Sequence, residues 1–105
     1  MRDRLAQTRQ RLLDAGCGAG GFLRWARTTG AFDEVAGVDV ASAAIDLARR
    51  RVPEADLRVA ALAELPFEPG SFDVVVTNDV LQHIPLDDVS ASVRELRRVL
   101  TADGT

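Results

Sequence analysis

RLLDAGCGAGGF, residues 11–22, is the stretch on which the fold of the chain turns. Leu12 and Leu13 end a short apolar run and Asp14 follows at once. Gly16, Gly18, Gly20 and Gly21 then strip side chains from a turn. A turn without side chains lets backbone come close to another group. Beyond it Phe22, Trp25, Ala26 and Thr29 recur at i, i+3, i+4 and i+7, which predicts one face of a helix. Strand, glycine turn and helix N-terminus in succession make a cradle for a nucleotide-like ligand.

Outward from that stretch, strand and helix patterns alternate. A strand is expected over 9–15, then a helix over 20–29 stopped by Gly30, then a strand at Glu34–Asp39. Ser42 is the expected N-cap of a helix running to about Arg51, before Pro53. A short strand over 56–60 precedes a loop over 61–71 that carries Pro66, Pro69 and Gly70. Residues 72–77, FDVVVT, are the strongest strand signal, and the unbroken valines suit a strand covered on both faces. A connecting segment comes next, ending near Pro85. The last helix is expected over 87–100, with Val89, Val93, Leu96 and Leu100 on one face. Acids at its start and arginines at its end suit the helix dipole. Repeated β-α-β units predict an α/β fold with a parallel sheet in the order 3-2-1-4 and helices on both faces. The order reverses beside the glycine turn, where open α/β sheets bind ligands.

Composition narrows the function classes. At 105 residues the chain is one domain, with 47% hydrophobic and 28% charged residues. No apolar run approaches the roughly 20 residues of a membrane helix, and residues 1–10 contain no apolar core for a signal peptide. A cytoplasmic location is therefore expected. The net charge of −3 gives no general attraction to nucleic acid or anionic lipid, so neither is an expected partner. The basic run Arg49, Arg50 and Arg51 falls at a helix end, where cations complement the dipole. A single cysteine excludes an internal disulfide, and no Cys and His set has metal-ligand spacing. Cys17 reads as a small residue in a tight turn, with no triad partner near it in sequence.

Two carboxylates carry the discrimination between ligands. Gly16-x-Gly18-x-x-Gly21 fits the dinucleotide fingerprint, and Asp39 follows Gly16 by 23 positions, near the roughly 20 of a ribose-binding acid. A carboxylate there can accept hydrogen bonds from both ribose hydroxyls; it can also cap the turn before Ser42. Asp14 sits inside the strand end, where a buried carboxylate is costly unless paired. An ammonium or sulfonium would pair with it and a pyrophosphate would be repelled, which favours a cationic ligand over NAD. Capping of the glycine turn by Asp14 is compatible with that role.

Four motifs in order, DAGCGAGGF, GVDVAS, ELPFEPGSFDVVVTNDVLQHIP and VRELRRVL, resemble the small-molecule type of class I S-adenosylmethionine-dependent methyltransferases. The resemblance covers about residues 10–104. It implies a Rossmann-like three-layer sandwich and S-adenosylmethionine as cofactor. It would set Asp14 and the backbone of Ala15, Gly16, Cys17 and Gly18 against the methionine part. Asp39 would hold the ribose, Val40 would pack on the adenine, and the backbone around Ala61 and Leu62 would lie along the adenine edge. Asn78 would flank the methionine part near the transferred methyl. The family often has an acid that accepts from the adenine amino group. The matching stretch here, VAALA over 59–63, has none before Glu64, so adenine recognition is expected to rest on backbone and apolar contact. Family members also continue past Asp103-Gly104 into further strands. Residues 1–105 therefore read as a single truncated or minimal domain. Its valine-rich edge strand is expected to be covered by a second copy, as a homodimer, or by a missing C-terminal segment.

The expected chemistry is an in-line displacement at the sulfonium methyl, in which the protein mainly aligns the acceptor. A general base is needed only for a weakly acidic acceptor. His83, the one histidine, is the candidate base, with a hydrogen-bonded loop residue as the other reading. Asp79 is either an acceptor-side residue or a solvated loop acid. The expected function is methyl transfer to a small-molecule acceptor. The alternatives are a cofactor-binding module or pseudo-enzyme without its own acceptor site, and a nicotinamide oxidoreductase resting on the glycines alone.

Overall fold

The computed structural model describes residues 10–77 and 84–105. Their elements are β1 (Arg11–Ala15), α1 (Gly21–Thr29), β2 (Glu34–Asp39), α2 (Ser42–Arg51), β3 (Asp56–Val59), β4 (Val74–Thr77) and α3 (Leu86–Val99). The strands form one sheet in the order β3-β2-β1-β4, all pairs parallel, as the alternating pattern predicted. Successive side chains on a strand point to opposite faces. Leu12, Val35 and Leu57 accordingly join Leu23, Ala26, Ile45 and Ala48 of α1 and α2 in one core. Leu13, Ala15, Ala36 and Val38 join Leu62, Leu65 and Val99 in the other. Val74 and Val76 pack toward the first core and Val75 toward the second, but all four residues of β4 are only half-buried, so the strand is partly covered on each face among the described residues.

Several local expectations shift by a residue or a face. α1 buries Leu23 and Ala26, while Trp25 is 59% exposed with its ring centroid 5.5 Å from that of Phe22. The N-cap of α2 is Ala41, not Ser42, and the side chain serving that turn is Asp39, whose Oδ1 accepts from the Ala41 N–H at 2.9 Å. β3 ends at Val59; the Ala60 N–H bonds the Asp39 carbonyl at 3.1 Å. β4 begins at Val74 because Phe72 pairs separately with Leu100. On α3 the fully buried residues are Ser92 and Val99, with Leu96 packed against the second core; of the predicted row only Leu96 is among them. Val89 and Val93 are only half-buried.

Two devices hold the C-terminal ends of the strands in shape. Gly37 in β2 must lack a side chain, since a Cβ there would lie 2.7 Å from Leu23 Cδ1 and 2.8 Å from Cys17 Sγ. The loop over 61–71 is clamped from α3. Arg98 donates to the carbonyls of Phe67 at 2.8 Å and Leu65 at 2.9 Å, while Glu95 accepts from the Leu65 N–H at 2.8 Å. A 2.7 Å bond joins Arg98 to Glu95, and Arg58 stacks over Phe67 at 4.6 Å. Among the described residues β4 pairs with β1 on one side. On its other side Thr105 donates to the Asp73 carbonyl and accepts from the Val75 N–H. No helix of the described residues is long and apolar enough to cross a membrane.

Candidate functional site

The glycine turn is built from left-handed backbone at Gly16 (φ 91°), Gly18 (φ 55°) and Gly20 (φ 89°), conformations that L side chains resist. Its amides point inward. The N–H groups of Gly16 and Cys17 both donate to the Val38 carbonyl at 2.8 Å, and that of Gly18 donates to Asp39 Oδ2 at 2.9 Å. Phosphate cradles need such amides free. Here three of them lash the turn to the end of β2, which suits a ligand without a pyrophosphate.

Asp39 is half-buried, with one oxygen held by Gly18 and the other by Ala41. Each carboxylate oxygen has two acceptor sites, so capacity remains after both bonds. The turn-capping role and a diol-binding role therefore coexist. Asp14, at the end of β1, is 1% exposed and its Oδ1 has no hydrogen-bond partner. Burial, and then the Asp39 charge, raise its pKa from 3.8 to about 6. Cys17 is buried too. Burial, with the two carboxylates adding to it, pushes its thiol up to about 12, and its Sγ lies 3.6 Å from the Gly18 carbonyl. A thiol so disfavoured as thiolate is a packing residue.

A cavity of about 430 Å³ opens over the C-terminal ends of the strands. Gly16, Asp39 and Val40 form one side, at the ends of β1 and β2, and Ala61, Leu62 and Ala63 form the wall after β3. Ile84, Pro85, Asp88 and Ser92 close it from α3 and the residues before it. Of the residues expected from the sequence, Gly16, Asp39, Val40, Ala61 and Leu62 thus meet at one hollow. Asp14, Ala15 and Cys17 are buried beside it rather than lining it. Gly18 faces open space, with nothing within 4 Å of the position a Cβ would take. Asn78, Asp79 and His83 lie outside the described residues. Sequence reasoning missed Asp88 and Ser92; the signal was there, in an acid and a hydroxyl four apart on one helix. Among the described residues no group of three or more His, Cys, Asp or Glu could hold a metal ion.

These features fit an adenosine-based cation. Val40, 70% exposed, offers an apolar surface at the rim for a flat ring. Asp39 offers acceptors for a diol, and Asp14 is a buried carboxylate short of a partner.

Residues 13–105 match the family model described as a methyltransferase domain. Over 105 aligned residues the chain is 38% identical to the ubiquinone biosynthesis O-methyltransferase of Neisseria meningitidis, covering 90% of this chain and 41% of that protein. The fold superposes on a TehB-like S-adenosylmethionine-dependent methyltransferase from Corynebacterium glutamicum with a TM-score of 0.82 and 30% identity, over 97% of this chain and 55% of that one. A second similar structure is the geranyl diphosphate C-methyltransferase of Streptomyces coelicolor (TM-score 0.77, 28% identity, 90% and 36% covered), solved with Mg²⁺, geranyl diphosphate and S-adenosylhomocysteine. The chain spans less than half the length of the curated relatives it matches. With sequence and fold in agreement, the chain belongs to the class I S-adenosylmethionine-dependent methyltransferases.

Proposed function

We propose that the cavity, together with the glycine turn and the end of β1 beside it, binds S-adenosylmethionine and that the chain serves methyl transfer to a small-molecule acceptor. One observation carries this reading: two carboxylates stand at neighbouring strand ends, Asp14 buried without a partner for Oδ1 and Asp39 oriented by two backbone N–H groups. An unpaired buried carboxylate is relieved by a cation. A carboxylate already fixed in place accepts from a diol without reorganising. The bound cofactor supplies a methyl on sulfonium together with its own leaving group, so the protein's task is placement.

Asp14 neutralises the ammonium of the methionine part, which passes the backbone of Ala15, Gly16, Cys17 and Gly18. Asp39 takes the ribose hydroxyls. Val40, with the backbone around Ala61 and Leu62, holds the adenine. Asn78 belongs beside the methionine part, and His83 takes the acceptor's proton where the acceptor is a weak acid. A small organic acceptor is in keeping with the names of two similar proteins, one of ubiquinone biosynthesis and one acting on geranyl diphosphate. Past the two backbone bonds that Thr105 makes, the outer edge of β4 offers a place for a covering strand, from further chain or from a second copy, since unpaired edges recruit other strands. Light scattering distinguishes the two: a monodisperse monomer rules out the second copy.

Calorimetric titration with S-adenosylmethionine, S-adenosylhomocysteine and NAD tests the cofactor. The first two are expected to bind and NAD is not. Asp39→Ala should weaken S-adenosylhomocysteine by about 1.5–3 kcal/mol, the range for hydrogen bonds to a charged group. Binding of NAD alone, or an Asp39→Ala variant with undiminished affinity, overturns the reading.

A further inference from the structure

The wall after β3 brings no carboxylate to the cavity. Ala61, Leu62 and Ala63 line it, and the next acid, Glu64, does not. An adenine against that wall presents a ring edge with a donor amine beside an acceptor nitrogen. Buried polar edges of this kind are normally met by protein groups. Asp39, held by the N–H groups of Gly18 and Ala41, has its remaining acceptor capacity assigned to the ribose diol.

Among the described residues the other polar side chains on the cavity belong to α3. Ser92 is 1% exposed, lines the hollow, and its Oγ has no hydrogen-bond partner. A buried hydroxyl left unpaired is destabilising, and helix packing alone would be better served by alanine. One turn earlier, Asp88 lines the same hollow and is exposed. Residues four apart on a helix are neighbours, with Cβ atoms about 5–6 Å apart. An acceptor and a donor are thereby set side by side, complementary to the adenine edge.

We infer that Asp88 and Ser92 form the adenine-selecting pair of this chain, with Asp88 accepting from the exocyclic amine and Ser92 donating to the adjacent ring nitrogen. The pair supplies from α3 what the alanine-rich wall lacks. This inference rests on the proposed cofactor. The plain role of Asp88, complementing the dipole in the first turn of α3, is shared by Asp87, which does not line the cavity. Asp87 is therefore the internal control.

The test compares S-adenosylhomocysteine with its analogue carrying unsubstituted purine, which keeps the ring nitrogen and lacks the amine. Affinities are measured by calorimetry for the wild-type chain, Asp88→Ala, Asp87→Ala and Ser92→Ala, with thermal unfolding run on each. Wild type is expected to favour the adenine form about tenfold or more, as befits one hydrogen bond to a carboxylate. Asp88→Ala should erase that preference by weakening the adenine form alone. Ser92→Ala should weaken both ligands alike, and Asp87→Ala should change neither. A preference that survives Asp88→Ala overturns the inference and leaves the cofactor assignment standing; that result would move Asp88 to the acceptor side. A wild-type chain that binds neither ligand overturns both.

Discussion

Replacing Asp14 by asparagine should make the ligand-free domain more stable while weakening its hold on the cofactor. The side chain is 1% exposed and its Oδ1 lacks a partner, so ionisation in the fold is disfavoured first by desolvation and then by Asp39. The folded pKa of about 6 lies above the ordinary 3.8. Between those two values the folded chain holds a proton that the unfolded chain has released. Stability is therefore greatest below 3.8, falls as pH rises toward 6, and stays low above it. At 1.36 kcal/mol per pH unit, the full loss at pH 7 is about 3 kcal/mol. An asparagine side chain has no charge to desolvate, so Asp14→Asn should recover up to that amount, on the order of 10 °C in midpoint for a domain of this size. Thermal unfolding of both proteins from pH 4 to pH 8 is the assay. The gain should be largest above pH 6 and vanish toward pH 4. Equal stability at pH 7, or a gain independent of pH, would refute the picture of Asp14 as a strained, unpaired charge.

Two further predictions concern the walls of the site. Arg98→Ala removes the bonds to the carbonyls of Leu65 and Phe67 and frees Glu95, so it should cost about 2–3 kcal/mol in urea unfolding and weaken S-adenosylhomocysteine through the displaced Ala61–Leu62 wall. Unchanged stability would show that the clamp is not needed to seat the loop. Cys17, buried and with a pKa pushed up to about 12, should resist iodoacetamide at pH 8 in the folded chain and react on unfolding; rapid alkylation of the native domain would contradict its packing beneath the turn.

The sheet and the acid at the cavity rim were legible because both depend on local pattern. Glycines between an apolar run and a helix, and an acid at the next strand end, need only spacing to be recognised. Asp39 was found this way, although its two backbone bonds follow from the left-handed turn and not from spacing. Faces of helices were less legible. Rows one residue apart on a helix differ by about 100°, and in α3 an apolar count preferred Val93 to Ser92, which is the residue that is fully buried. In α1 the same ambiguity exchanged Trp25 for Leu23. The clamp by Arg98 was invisible for another reason: its partners Leu65 and Phe67 lie 33 and 31 residues away, and a dipole argument accounted for the arginine without them.

In the proposed reading, cofactor binding depends above all on Asp14 meeting a cation, and proton release on binding measures that directly. At pH 6 the free domain carries Asp14 about half protonated, and an ammonium beside it would ionise it. S-adenosylhomocysteine titrated at pH 6 in buffers of different ionisation enthalpy should therefore release up to about half a proton per site, less at pH 8, and none in Asp14→Asn. Proton uptake at pH 6, or the same release from wild type and Asp14→Asn, would contradict it.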